Sequence, residues 1–331
     1  MTQIRVLVTG VGSTTALSVI KGLREQEVYD VCITGTDVNR RLEIAGSVFC
    51  DSFYRVPPAS EEHEYVSSLQ DIIEEKGIDL LVPIVDLELE VLARHREKIE
   101  PNCSLLLSST ETVEICNDKF RTFQWMAENE ISTPGTLLDP SPSEIRETFG
   151  FDSPLLAKPR RGVSSRGVYE IRSEAELCLL DRIDEPIVQP KIEGTEYTID
   201  VFAADGATSA VPRKRLETRA GISYKGRTIQ NSELIAEATE IAEALDLIGP
   251  ANIQCFETNS KYLFFEVNPR FSGSLTLSIE AGLNSPLHAL QWAAAEQVIL
   301  PDSFSEVTMC RYWEEVFHHG TEMTSKGRSD R

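Results

Sequence analysis

The chain has 331 residues, 41% hydrophobic and 7% aromatic, a composition that suits a folded protein of two or three packed lobes. Against 32 Lys+Arg stand 53 Asp+Glu, a formal charge of -21 that repels nucleic-acid backbones and anionic membranes, so neither is an expected partner. No apolar run approaches the roughly 18 residues of a membrane span. No signal peptide precedes the first strand, the five histidines lack zinc spacing, and the seven scattered cysteines form no C-x-x-C pair, which predicts a cytoplasmic protein with reduced thiols.

Taken in order, IRVLVTG at residues 4–10 is an apolar β-branched run entering glycine, and Ala16 to Gln26 then has helical periodicity. VCITGTDVN ends a second strand at Asp37. LLVPIVD at residues 80–86 reads as a buried strand between helices at 61–76 and 87–98. This alternation predicts a parallel doubly wound sheet over residues 1–112. Gly10-Val11-Gly12-Ser13-Thr14-Thr15 approximates a dinucleotide fingerprint with Thr15 in place of the third glycine, and Asp37 stands near the spacing of a ribose-binding acid. The alternative is a tight turn whose helix N-terminus receives another anion, such as a substrate carboxylate.

Asn117-Asp118-Lys119 opens a helix running to about Glu130, with Asp118 suited to its first turn. PLLAKPRRGVSSRGVYEI at residues 154–171 reads as two antiparallel strands around a loop with Gly162 and Gly167, whose backbone can fold over phosphates. Lys158 precedes that loop and would point its charge the same way. PIVQPKIEGTEYTIDVFAADG at residues 186–206 is a strand, a break at Glu193-Gly194 and a second strand. Backbone groups exposed at such a lobe crossing could meet an adenine edge, and Glu196 could accept from ribose hydroxyls. Six cations (Arg213, Lys214, Arg215, Arg219, Lys225 and Arg227) crowd residues 211–228, a basic stretch expected to meet an anionic group. Helices are predicted at Ser232 to Leu245 and Ser285 to Gln297, and a frayed tail beyond about 318.

Residues 252–274, NIQCFETNSKYLFFEVNPRFSGS, read as two strands joined by a turn at Asn259, Ser260 and Lys261. Strict alternation puts Glu266, Asn268 and Arg270 on one face and Phe265 and Val267 on the other. An antiparallel register then sets Gln254 opposite Glu266, an oxygen-rich pair that suits a hard cation such as Mg²⁺. A half-solvated hairpin with a polar face is the plainer reading of those residues alone.

The ordered series of a Rossmann-like opening, N-D-K, L-L-A-K-P with a glycine loop, Q-P-K-I-E-G-x-E-Y, G-P-A-N-I-Q and E-V-N-P-R resembles the ATP-grasp superfamily over residues 1 to about 315. It is most similar to one synthetase module of the carbamoyl-phosphate synthetase large chain. The resemblance implies an α/β and α+β, three-lobed ATP-grasp fold. Its parts are a Rossmann-like pre-ATP-grasp domain (1–112), a small central lobe (113–187), a C-terminal antiparallel-sheet lobe (188–317) and a tail (318–331). It implies ATP held by Lys119, Lys158, the loop with Arg161, Gly162, Ser164 and Ser165, the hinge Gln189, Pro190, Lys191 and Ile192, and Glu196. Gln254, Glu266 and Asn268 match ligands of two Mg²⁺ ions, with Mn²⁺ as an alternative metal, and Gln254 also adjoins the nucleotide. Arg270 and Lys158 match catalytic cations, and the basic stretch adds Arg215 to them.

The chemistry so implied is ADP-forming ligation of a small carboxylate to an amine, or to a thiol, through an acyl-phosphate. Phosphoryl transfer without the amine step and nucleotide sensing are the alternatives. Arg213, Arg215, Arg219 and Arg270 suggest an anionic first substrate, with Ser272 and Gly273 beside it. A homodimer is compatible with the sequence. One module without a second argues against carbamoyl phosphate as the product.

Overall fold

The structure, a computed structural model, describes residues 1–162, 167–219, 221–259 and 261–318. Its first part is a five-stranded parallel sheet with strand order β3-β2-β1-β4-β5. The strands are β1 (Gln3–Val8), β2 (Asp30–Asp37), β3 (Ser52–Arg55), β4 (Leu80–Val82) and β5 (Ser104–Leu105). Helices α1 (Thr14–Glu25), α2 (Glu62–Lys76), α3 (Asp86–Arg94) and α4 (Arg96–Ile99) connect them. The strand order reverses between β1 and β4, so the loops leaving their carboxyl ends flank one crevice, the place where open α/β sheets receive ligands.

Two expectations shift here. The strand at 80–86 ends at Val82, because Asp86 already opens α3, and the helix expected over 87–98 breaks at His95 into α3 and α4. Helices α5 (Thr110–Asn117) and α6 (Lys119–Glu128) follow, with Asp118 capping α6 by accepting from the amides of Phe120 and Arg121. Both pack on the large C-terminal sheet, where Cys116 and Met126 join Ile253, Phe264 and Val267 in one core.

The central sheet has order β6-β9-β7-β8, from β6 (Leu137–Leu138), β7 (Leu155–Pro159), β8 (Tyr169–Ile171) and β9 (Pro186–Pro190). Helix α7 (Pro142–Thr148) covers it, and Ile145, Leu155, Ala157, Leu177 and Val188 form a small separate core. β7 and β8 pair antiparallel around the phosphate-loop segment, of which 163–166, including Ser164 and Ser165, lie outside the described residues.

The third sheet is six-stranded and antiparallel, with order β14-β13-β10-β11-β12-β15. Its strands are β10 (Thr195–Ala204), β11 (Ala207–Arg219), β12 (Ile222–Thr228), β13 (Gly249–Glu257), β14 (Tyr262–Asn268) and β15 (Thr308–Cys310). Helices α8 (Ser232–Ala244), α9 (Leu275–Ala281) and α10 (Ser285–Ala293) pack on it. The last is shorter than the span to Gln297. One core runs from the N-terminal sheet through α1 into α9, α10, Phe202 and Phe271, so the first and third units share apolar surface rather than a linker alone. The tail beyond 318 lies outside the described residues.

A buried ion pair lies inside this third unit. Arg213, 1% exposed, donates to the Asp200 carboxylate at 2.6 Å, and Ser278 donates to the other Asp200 oxygen at 2.5 Å. Removing one partner of such a pair leaves an uncompensated charge in the core. Asp200→Ala is therefore expected to lower the unfolding free energy by about 3–5 kcal/mol, read as a shifted denaturation midpoint in urea; a change below about 1 kcal/mol would show that the pair is dispensable.

Candidate functional site

Gln254 of β13 pairs directly with Glu266 of β14, and Asn252 with Asn268, the register expected from the sequence. One detail differs. The next pair is Cys255 with Phe264, so Phe265 is an extra residue, a β-bulge that breaks strict alternation. Phe264 and Val267 both enter the core, while Phe265, expected beside Val267, turns to the polar face. There it stacks on Phe256 with ring centroids 5.0 Å apart, and the Lys158 ammonium stands 5.7 Å from its centroid.

Lys158 arrives on β7 and brings its charge to this face. Removal from water pushes its ammonium down to about 8, the Glu266 carboxylate pulls it back up, and Lys119 pushes it down again. Burial raises the Glu196 carboxyl, Arg215 opposes that rise, and Glu266 adds to it. For Arg270, burial works against its charge, but Asp86 first and Glu266 second hold it above the ordinary arginine range. Lys158, Glu196 and Arg270 come from different strands or loops, yet each senses Glu266.

Asn268 is fixed by donating to Glu266 at 2.9 Å and to Asn252 at 3.2 Å, and Arg270 approaches its oxygen at 3.4 Å. Gln254, Glu266 and Asn268 thus supply two amide oxygens and one carboxylate, the hard oxygen donors that Mg²⁺ takes beside phosphate. The donor chemistry fits. Among the described residues there is no group of three His, Cys, Asp or Glu that could hold a metal.

The entry arm of the phosphate loop is held from two sides. Lys119 donates from its ammonium to the Gly162 carbonyl at 2.8 Å and from its amide to the Arg160 carbonyl at 3.1 Å. Arg160 bonds Asp118 at 2.7 Å, and Arg161 reaches Glu90 of α3 at 3.4 Å. Burial disfavours the charged form of Asp118, but Arg160 and the two capped amides outweigh it and hold the carboxyl below its usual range.

At the hinge, the Gln189 side chain is buried against Thr136, and Lys191 pairs with Glu170 at 2.7 Å and gives its amide to the Pro154 carbonyl. Pro190 and Ile192 flank it. Gly194 is needed at the crossing, because a Cβ there would come within 2.2 Å of the Glu257 carbonyl. An open groove of about 410 Å³ follows, lined among others by Glu196, Arg215 and Phe256.

The basic stretch is corrected by the structure. Arg213 is buried on Asp200 and Ser272, Arg219 lies over Tyr224 and bonds Glu217, and Lys225 also pairs with Glu217. Arg215 is bonded to Glu196 and to the Gly221 carbonyl, which binds it to the groove wall. These cations neutralise carboxylates of their own sheet instead of forming a free anion patch. Asp37 is likewise spent: it accepts from the amides of Gly12 at 2.8 Å and Asn39 at 2.9 Å. A carboxylate seated on the Gly12 amide occupies the place a pyrophosphate would need, which argues against the dinucleotide reading.

Sequence reasoning missed Asp86, whose two oxygens take Nε of Arg270 at 2.7 Å and Nη2 at 3.1 Å. It also missed Glu90 and Asn252. Asp86 lies after β4 at the strand-order reversal, and that position was the signal available.

Residues 182–315 match the family described as ATP-grasp in the biosynthetic pathway with Ter operon, and residues 6–106 match the PylC-like N-terminal domain. No curated protein is matched. Among solved structures, N5-carboxyaminoimidazole synthetase from Staphylococcus aureus, complexed with ADP, has a TM-score of 0.76 at 14% identity over 93% of this chain and 82% of that one. The biotin carboxylase domain of the Hydrogenobacter thermophilus 2-oxoglutarate carboxylase, with MgADP, ADP and bicarbonate, gives 0.74 at 16% over 93% and 74%. L-amino acid ligase from Bacillus licheniformis gives 0.69 at 15% over 88% and 74%. The chain spans only 28% of Rhizobium etli pyruvate carboxylase, with a TM-score of 0.69 at 16% identity over 88% of this chain. No helix among the described residues is long and apolar enough to cross a membrane. The chain therefore has an ATP-grasp fold, with residues 182–315 similar to an ATP-grasp family and residues 6–106 similar to the PylC-like N-terminal domain.

Proposed function

We propose that this protein is an ATP-dependent, ADP-forming ligase that joins a small-molecule carboxylate to an amine through an acyl-phosphate. The observation that carries this reading is the grouping of Gln254, Glu266 and Asn268 on one strand pair, with Arg270 bonded to Asn268 and Lys158 standing over Phe265 next to Glu266. Neighbours in complex with ADP or MgADP, and one named as an amino acid ligase, support it.

In this reading Lys119, Lys158 and the arm at Arg161 and Gly162 hold the phosphates, and Gln189 to Ile192 present the hinge to adenine. Glu196, oriented by Arg215, meets the ribose. Gln254, Glu266 and Asn268 are the residues that would hold Mg²⁺, which when bound neutralises phosphate charge. A carboxylate oxygen of the substrate attacks the γ-phosphorus as its bond to the bridging oxygen breaks, and ADP leaves. The amine nitrogen then attacks the acyl carbon, loses a proton and expels phosphate. Arg270, locked in orientation by Asp86, places its charge beside the transferred group.

Incubation with ATP, Mg²⁺, a panel of acids and an amine should release ADP and phosphate; AMP and pyrophosphate would refute the mechanism. Glu266→Gln should reduce turnover by at least about a hundredfold with an unchanged melting temperature, whereas retained turnover would remove Glu266 from the metal set.

Since the chain supplies one carboxylate to that set, Mg²⁺ alone should leave the melting temperature unmoved, while Mg²⁺ with ATP raises it. A rise with Mg²⁺ alone would point to a metal site independent of nucleotide.

Lys158 sits at about 8 against an ordinary 10.5, so between those values the unfolded chain binds a proton that the folded one lacks, and stability of the free protein rises with pH across that window. Phosphate beside Lys158 restores its charge. Nucleotide binding at pH 8.5 should therefore take up a proton and weaken as pH rises, which calorimetry in buffers of different ionisation enthalpy measures. Zero proton uptake in wild type, or equal uptake in Lys158→Met, would contradict this assignment.

A further inference from the structure

Arg311 stands apart from the other arginines near the cleft. It follows edge strand β15, where its amide donates to the Tyr224 carbonyl at 3.1 Å, and one terminal nitrogen donates to the Gly273 carbonyl. Its Nε is buried without a hydrogen-bond partner, as are those of Arg213 and Arg215, but among the described residues no carboxylate lies within ion-pair distance of Arg311. Burial, and then the neighbouring Arg213, push its guanidinium below the ordinary arginine range. By contrast Arg213, Arg215 and Arg270 each hold a carboxylate of their own. In a chain of charge -21, a half-buried arginine with one neutral partner is an uncompensated cation, and such a group costs stability unless a ligand completes it.

Its place relative to the reacting end is fixed by the loop after β14. Arg270 donates to the Phe271 carbonyl and Arg311 to the Gly273 carbonyl, positions two residues apart and so within about 7 Å of each other. Between them Ser272 accepts from Arg213. Beyond them Thr15, at the start of α1, stands 3.5 Å from where a Gly273 Cβ would be, with Ile222 equally near. One short loop therefore accepts from two guanidinium groups, Arg270 at the Phe271 carbonyl and Arg311 at the Gly273 carbonyl, with Thr15 of the N-terminal domain beside Gly273.

We infer that the acid this protein activates is a short dicarboxylic acid, whose second carboxylate is received by Arg311 while the first is phosphorylated near Arg270. This deepens the ligase reading and rests on it. Arg311 is then a specificity-determining residue, since a monocarboxylate of equal length leaves its charge unmet.

The test uses the full chain with ATP, Mg²⁺ and hydroxylamine as the amine, with ADP and hydroxamate as readouts. Succinate, glutarate, aspartate and glutamate are compared with butyrate, valerate, 2-aminobutyrate and norvaline. Wild type should favour the dicarboxylates in kcat/KM by at least about tenfold. Arg311→Met should erase that ratio and Arg311→Lys should retain part of it. The ratio is taken within each variant, so a change in folded fraction cancels, and the lysine variant keeps the test alive if methionine does not fold. Wild type that binds ATP and Mg²⁺ but shows no dicarboxylate preference, through equal rates or no turnover, overturns the inference and leaves the nucleotide site standing. A preference unchanged in Arg311→Met also overturns it. Absence of any ATP-induced thermal shift would instead remove the ligase reading beneath it, and this inference with it.

Discussion

The β-bulge in β14, one residue more than β13 carries at that point, sets what surrounds Lys158 beside Glu266. In a strictly alternating strand, Phe265 would follow Val267 into the core and leave Lys158 over polar groups alone. The bulge instead sends Phe264 and Val267 inward and turns Phe265 and Glu266 together toward Lys158. Lys158 therefore has an aromatic floor and a carboxylate nearby, and among the described residues it makes no salt bridge that would commit its charge. Removal from water then acts on an amine that is only partly compensated, and phosphate is the charge that would complete it.

The N-terminal sheet takes part in the same balance. Its strand-order reversal sets the end of β4 beside β1, and α3 starting there carries Asp86 and Glu90 one helical turn apart. Asp86 holds Arg270 from the third sheet, and Glu90 holds Arg161 from the phosphate-loop arm. A single helix face thus sets the spacing between the arm at Arg161 and Gly162 and the Arg270 guanidinium. A core shared between α1 and helices α9 and α10 makes that spacing a property of packed surfaces.

Much of this was legible in the chain. The pairing of Gln254 with Glu266 matches the expectation, although the strands meet at Glu257 and Tyr262 rather than at the expected turn and the bulge restores the register, and Asp118 as a helix cap follows from N-D-K before an apolar period. Three things were not legible. The bulge at Phe265 is invisible to a period-two rule, since F-F-E-V fits two registers equally well until the core chooses Phe264 and Val267. Asp86 was read as a strand end because LLVPIVD is apolar throughout, and only the β1–β4 adjacency shows that it faces a cleft. Arg311 follows three short-strand residues near an acidic segment, and nothing local distinguishes it from a surface arginine.

The basic stretch shows where charge counting fails and what replaces it. Tyr197 pairs with Lys214 and Thr198 with Arg213, so Glu196, Thr198 and Asp200 share a face with Arg215, Arg213 and Val211. Each acid then has an arginine across the ladder, directly or diagonally, within reach of a long side chain. Glu217 and Lys225 repeat the pattern on the next pair of strands. Four of the six cations, Arg213, Arg215, Arg219 and Lys225, are therefore set against carboxylates of the same sheet, while Arg227 donates to the Thr308 hydroxyl. In so acidic a protein an excess of local positive charge is no evidence of an anion site, because acids are abundant enough to absorb it. What carries information is the cation that the pairing leaves over, and near the loop after β14 that cation is Arg311.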